Sequence, residues 1–136
     1  MIQKYEWDDK YLLGIDEIDE QHKKLIAIAN ELYTILTGSE ENYAKEMEKT
    51  LKNIVDYTVY HFSHEENFMM KYGYAGSEIH KTAHAGFVQE VNFQIKKLSA
   101  SDRQSGEKFY SFIGNWILTH IAKADKVWAG FVKAKL

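Results

Sequence analysis

The chain has no proline among its 136 residues. Nothing in it forces a helix to kink or stop, because proline is the residue that removes a backbone donor and clashes with the preceding turn. Apolar residues recur at steps of three and four over long stretches, the period of one helix face. No stretch alternates as a strand would. Breaks fall at Gly38-Ser39, at Gly73 to Ser77, and at Ser99 to Gly106, where glycine sits beside residues that cap helices. They predict an N-terminal arm, 1–18, and helices at about 19–37, 40–72, 77–98 and 107–133. Asp19 is the expected N-cap of the first helix. The second opens near Ser39, with Glu40 and Glu41 at its positive end, and stops at Gly73. The third begins around Ser77 and the fourth near Gly106. Four amphipathic helices with short links predict a single all-α domain, an antiparallel up-down-up-down four-helix bundle. The arm carries Tyr5, Trp7, Tyr11, Leu12, Leu13, Ile15 and Ile18 at spacings that fit no helix. It is expected to lie extended across the bundle.

Composition narrows the function classes. Hydrophobic residues make up 45% of the chain, enough for a real core at this length. A net charge of −3 argues against nucleic-acid binding through phosphate neutralisation. Cysteine is absent, which removes disulfides, thiolate zinc sites, iron–sulfur clusters and haem attachment. The acidic N-terminus does not read as a signal peptide, and no run approaches a membrane span. A soluble cytoplasmic domain is the expectation.

The unusual feature is polar and sits on the apolar stripes. Five of the six histidines fall there: His22 on the first helix, His61 on the second, His80 and His84 on the third, His120 on the fourth. Glu65 follows His61 by one turn on the same face. Side chains four residues apart stand about 40° apart around the axis and about 6 Å along it, so they can converge. A lone histidine on such a face is usually a hydrogen-bonded core residue. Five imidazoles and a carboxylate buried without partners would instead cost several kcal/mol for each unsatisfied group, against a net stability of only ~5–15 kcal/mol. A metal ion removes the difficulty by taking the nitrogen lone pairs and the carboxylate charge together. Depth agrees as well. His22 and the His80–His84 pair lie near the starts of their helices, His61–Glu65 and His120 near the ends. In an antiparallel bundle all of them meet at one end.

His64 and Glu66 share the segment "HFSHEE" with His61 and Glu65 but lie off its inward face. Glu66 is expected to face solvent. His64 is expected at the periphery, with support of a ligand as the alternative. Asp125, in "HIAKAD", follows His120 by five residues, about 140° away on a regular helix. It could join the cluster only if the backbone departs from α geometry there, for example through a π-bulge. On spacing alone, a ligand and a solvated aspartate near a helix end stay equally open. Trp128, Phe131 and Val132 could pack on the bundle or form a contact surface, and the sequence does not choose.

His22, "HFSHE", "HKTAH" and "HIAKAD" together resemble the hemerythrin signature. The arm "YEWDDKYLLGIDEIDEQH" looks like that of the bacterial single-domain members, the bacteriohemerythrins, and the resemblance runs over nearly the whole chain. Ala75 stands where many relatives have proline, a difference that touches only a turn. The resemblance implies two non-haem iron ions with an oxo or hydroxo bridge. His80, His84 and His120 would hold one iron, His22 and His61 the other, and Glu65 and Asp125 would bridge both. For Asp125 this implies ligation, with an irregular backbone as the consequence. It further implies that O2 binds reversibly at the iron of His22 and His61, where a position stays open, and that no residue acts catalytically. Leu25, Phe62, Trp116 and Ile117 are the candidates to line a dry O2 pocket.

Carboxylate-rich di-iron oxygenases and ferritins use Glu-x-x-His pairs, and this chain contains none. An imidazole-rich site supplies less negative charge to stabilise high-valent iron, which favours binding over oxidation chemistry. The reading is oxygen transport, storage or delivery to an O2-consuming enzyme, by a monomer with no nucleic-acid or membrane partner. The alternatives are O2 or redox sensing through a separate signalling partner, NO or peroxide handling, and iron storage.

Overall fold

The structure, a computed structural model, describes residues 2–39, 41–98 and 103–136. Helix α1 spans Asp16–Thr37, α2 Tyr43–Lys71, α3 Ser77–Lys97 and α4 Arg103–His120. α4 passes directly into a π-helical turn, Ile121–Asp125, and then into α5, Lys126–Lys133. The fourth rod of the bundle is therefore one continuous helix with a wider turn inside it. α1 packs on α2 and α4, and α2 packs on α3. There is no strand among the described residues. The core lies where the stripes meet, around fully buried Ile18, Leu32, Met69, Ile113 and Ile121. No helix of the described residues is long and apolar enough to cross a membrane.

The arm lies across α1 and α4. Tyr5 anchors it: its N–H donates to Asn30 Oδ1 (3.1 Å), and Asn30 Nδ2 donates back to the Tyr5 carbonyl (2.8 Å). The Tyr110 hydroxyl donates to the same Asn30 oxygen at 2.7 Å. A single 3-10 turn, Asp9–Tyr11, interrupts the extended course.

Three helix starts differ from expectation. Asp19 is not the N-cap of α1, which begins at Asp16 after Ile15. The Asp19 carboxylate is buried in the first turn and accepts from the N–H groups of Leu13 (2.8 Å) and Gly14 (3.1 Å). It ties the arm to the helix, which satisfies a buried charge and two otherwise orphaned donors at once. α2 begins at Tyr43, not near Ser39, because Asn42 takes the left-handed conformation at φ 61°. Glu40 lies outside the described residues, as do Ser99 to Asp102 of the third break. Gly106 does not open α4 but lies buried inside it. A Cβ there would come within 2.6 Å of Leu36 Cδ2 and 3.2 Å of Met47 Cε, so glycine lets α4 approach α1 and α2 closely. Trp128 and Val132 are fully buried, so the C-terminal turn belongs to the bundle's packing.

Candidate metal centre

One end of the bundle gathers seven donors from its four rods. α1 supplies His22, α2 His61 and Glu65, α3 His80 and His84, and the fourth rod His120 and Asp125. His22, His61, Glu65, His84 and Asp125 are essentially buried, His80 nearly so, and His120 is partly exposed. Their ligand atoms form two groups, each within 4.8 Å: His22, His61 and Glu65, and Glu65, His80, His84, His120 and Asp125. Glu65 belongs to both.

The two carboxylates straddle the groups. Glu65 Oε2 lies 3.0 Å from His22 Nε2 and 3.1 Å from His61 Nε2, while its Oε1 lies 3.2 Å from His84 Nε2. Asp125 Oδ2 lies 3.3 Å from His22 Nε2, while its Oδ1 lies 3.0 Å from His80 Nε2 and 3.3 Å from His120 Nε2. Each acid thus turns one oxygen to the two-histidine end and the other to the three-histidine end. Asp125 reaches the cluster through the π-turn, which closes the five-residue step from His120 that a regular helix would leave open.

The donor set fits a cation better than it fits itself. His120 Nε2 stands 2.9 Å from His80 Nε2 and 3.1 Å from His84 Nε2. Three imidazole nitrogens facing one another cannot all be satisfied by sharing hydrogens. With metal–nitrogen bonds of about 2.1 Å, neighbouring donors at right angles stand about 3 Å apart. Glu65 Oε1 is buried and makes no hydrogen bond. Without a metal, protons must do the balancing. Burial alone would lower the pKa of His22, but Asp125 and Glu65 beside it push it up to about 9. The same carboxylates push His80 up to about 9 against its burial. Burial would raise the Glu65 and Asp125 carboxyls, but the imidazoles around them hold both well below the usual carboxylate range.

A ring of polar partners surrounds the cluster, and the sequence reading found little of it. Glu66, expected to face solvent, is only partly exposed and turns to a partner: its Oε2 accepts from His84 Nδ1 at 2.9 Å. The stripe of α2 alone could not show this, because the partner comes from α3. His61 Nδ1 donates to Gln21 Oε1 at 2.8 Å. Gln21 Nε2 donates to His64 Nδ1 (3.2 Å), and His64 Nε2 lies 2.6 Å from Glu17 Oε1. His64 is peripheral, and through Gln21 it backs His61. The indole N–H of Trp128 donates to Asp125 Oδ1 at 3.0 Å. Leu25 and Ile117 are buried in the core. Phe62 stacks on His84 with ring centroids 3.7 Å apart, and Trp116 stacks on His120 at 4.4 Å. Both aromatic rings therefore cover the three-histidine end most closely.

The family model of the hemerythrin HHE cation binding domain matches residues 13–132. The chain belongs to the hemerythrin family. It is 35% identical over 124 residues to a bacteriohemerythrin of Clostridium acetobutylicum, covering 88% of this chain and 95% of that one. It is 32% identical over 130 residues to a bacteriohemerythrin of Stenotrophomonas maltophilia, with 96% and 82% covered. Among solved structures, wild-type hemerythrin superposes with a TM-score of 0.76 at 28% identity, covering 96% of this chain and 98% of that one. A hemerythrin point mutant superposes at 0.78 with 29% identity and the same coverage. The hemerythrin fold of the bundle thus carries, at one end, a histidine and carboxylate cluster that could hold metal.

Proposed function

We propose that this hemerythrin holds two non-haem iron ions and binds O2 reversibly at one of them, as a carrier, a store or a donor to an O2-consuming enzyme. His80, His84 and His120 hold one ion and His22 and His61 the other, with Glu65 and Asp125 shared. The observation that carries the reading is the division of both carboxylates, one oxygen toward each histidine group. That is the arrangement two adjacent cations require. When bound, the iron pair supplies the electrons for reversible O2 binding.

The protein's part is to keep the ends unequal and the site dry. In this reading the three-histidine end would offer its metal His80, His84 and His120 with one oxygen each of Glu65 and Asp125. The other end would offer only His22 and His61 besides the same two carboxylates, one donor fewer, which would leave a place for a small ligand. His22 and His61, both buried, flank that place. In this reading Leu25 and Ile117, both buried, close it from the core side, while Phe62 and Trp116, stacked on His84 and His120, wall the opposite end. Excluding water limits proton access and slows irreversible oxidation. Neutral imidazoles hold the positions without adding negative charge.

The test is to load the protein with iron, reduce it without air, admit O2 and then purge with argon. The proposal expects a charge-transfer absorption that appears with O2 and disappears on purging over repeated cycles. Oxidation that does not reverse, or no spectral response to O2, overturns it.

A further inference from the structure

Two residues beside the donors differ in charge in a way the donor count does not explain. Glu66 follows Glu65 on α2 and supports His84 on α3; Gln21 precedes His22 on α1 and supports His61 on α2. Each is the chain neighbour of an inward donor, turned about 100° from it, and reaches the next helix's histidine. Both accept a hydrogen bond from Nδ1, which fixes the tautomer and leaves Nε2 free toward the centre. The acceptors are not equivalent. The Glu66 side chain, 20% exposed, offers His84 a carboxylate, and a carboxylate acceptor makes a charge-assisted bond about twice as strong as a neutral one. The Gln21 amide is neutral, and its own orientation is set by His64 and, beyond it, Glu17.

We propose that Glu66 and Gln21 are positioning residues that make the two ends of the centre electronically unequal. The Glu66 carboxylate draws on the Nδ1 proton of His84 and makes its Nε2 a stronger donor. The three-histidine end therefore favours the more highly charged metal. The Gln21 amide holds the His61 ring equally still and adds no charge, so the two-histidine end keeps the weaker donor where the open position lies. This rests on the two-metal reading above.

The test exchanges the chemistry and keeps the shape: Glu66→Gln and Gln21→Glu, each in the full chain. Zinc affinity is measured by chelator competition, and the midpoint potential of the iron-loaded protein by spectroelectrochemistry. Glu66→Gln should weaken zinc binding by about ten- to a hundredfold and raise the potential, because the metal loses donor strength while the hydrogen bond survives. Gln21→Glu should lower the potential. A purely structural role predicts no change from Glu66→Gln, since glutamine offers the same acceptor in the same place. Two equivalents of metal in the wild type, with both variants matching it in affinity and potential or shifting the same way, overturn this inference alone. A wild type that takes up no metal overturns the two-metal reading and this inference with it.

Discussion

Replacing Trp128 by phenylalanine separates the packing role of this residue from its role at the centre. Trp128 is fully buried, and its indole N–H reaches Asp125 from outside the histidine cluster. Phenylalanine keeps the ring in place but removes about 40 Å³, which leaves a cavity worth about 1 kcal/mol. The lost bond was made to a charged acceptor, worth about 1.5–3 kcal/mol. The lower half of that range applies, because Asp125 Oδ1 keeps His80 at 3.0 Å and His120 at 3.3 Å and is not orphaned. The metal-free protein should therefore lose about 2.5–3 kcal/mol. The metal-loaded protein should lose more, since a loosened carboxylate weakens metal binding by about tenfold or more, or about a further 1.4 kcal/mol at fixed free metal. Urea unfolding of both forms, at one buffered zinc concentration, measures the two losses. Equal losses with and without metal would refute the claim that the indole positions Asp125. They would leave Trp128 as core packing alone.

Metal affinity should depend steeply on pH. His22 and His80, both raised to about 9, carry protons at neutrality that a metal must expel, so zinc affinity should fall by up to about a hundredfold per pH unit below that value. A pH-independent affinity between 7 and 8.5 would contradict the protonated cluster. In the metal-free protein the same raised values add stability that is complete below the ordinary histidine value of about 6.5 and is lost as pH rises through about 9, so the urea midpoint should drop across that window. Leu25→Ser should speed autoxidation of the oxygenated protein with two irons still bound, and an unchanged rate would remove Leu25 from the pocket. Gly106→Ala should cost about 1–3 kcal/mol of stability, since its Cβ meets Leu36 at 2.6 Å, without changing metal content. Unchanged unfolding would show that Leu36 gives way freely.

The inward residues were legible because helical period is local. Steps of three and four place His61 beside Glu65 and His80 beside His84 whatever the neighbouring helices do. The order of starts and ends along the chain brings all four rods' histidines to one level. Even the doubt over Asp125 was legible: five residues after His120 demands a wider turn, and the structure has one at Ile121–Asp125. The burial of Trp128 was not, because a short apolar run near a terminus can pack inward or stay out with the same pattern.

Asp19 and Glu66 show where local reading ends. Both are acidic residues at positions the pattern assigned to ordinary tasks, a helix cap and a solvated face. Each turned out to serve a group that another segment brings to it: the Leu13 and Gly14 amides of the arm for Asp19, the His84 ring of α3 for Glu66. The sequence by itself determined the helices, their inward stripes and the residue types that meet at one end, since these follow from chain spacing alone. Only the tertiary structure decided which polar neighbours support which donors. Hydrogen bonds between helices depend on how each rod is rotated against the next, to within a few tenths of an ångström, and that rotation is set by the packing of the whole core.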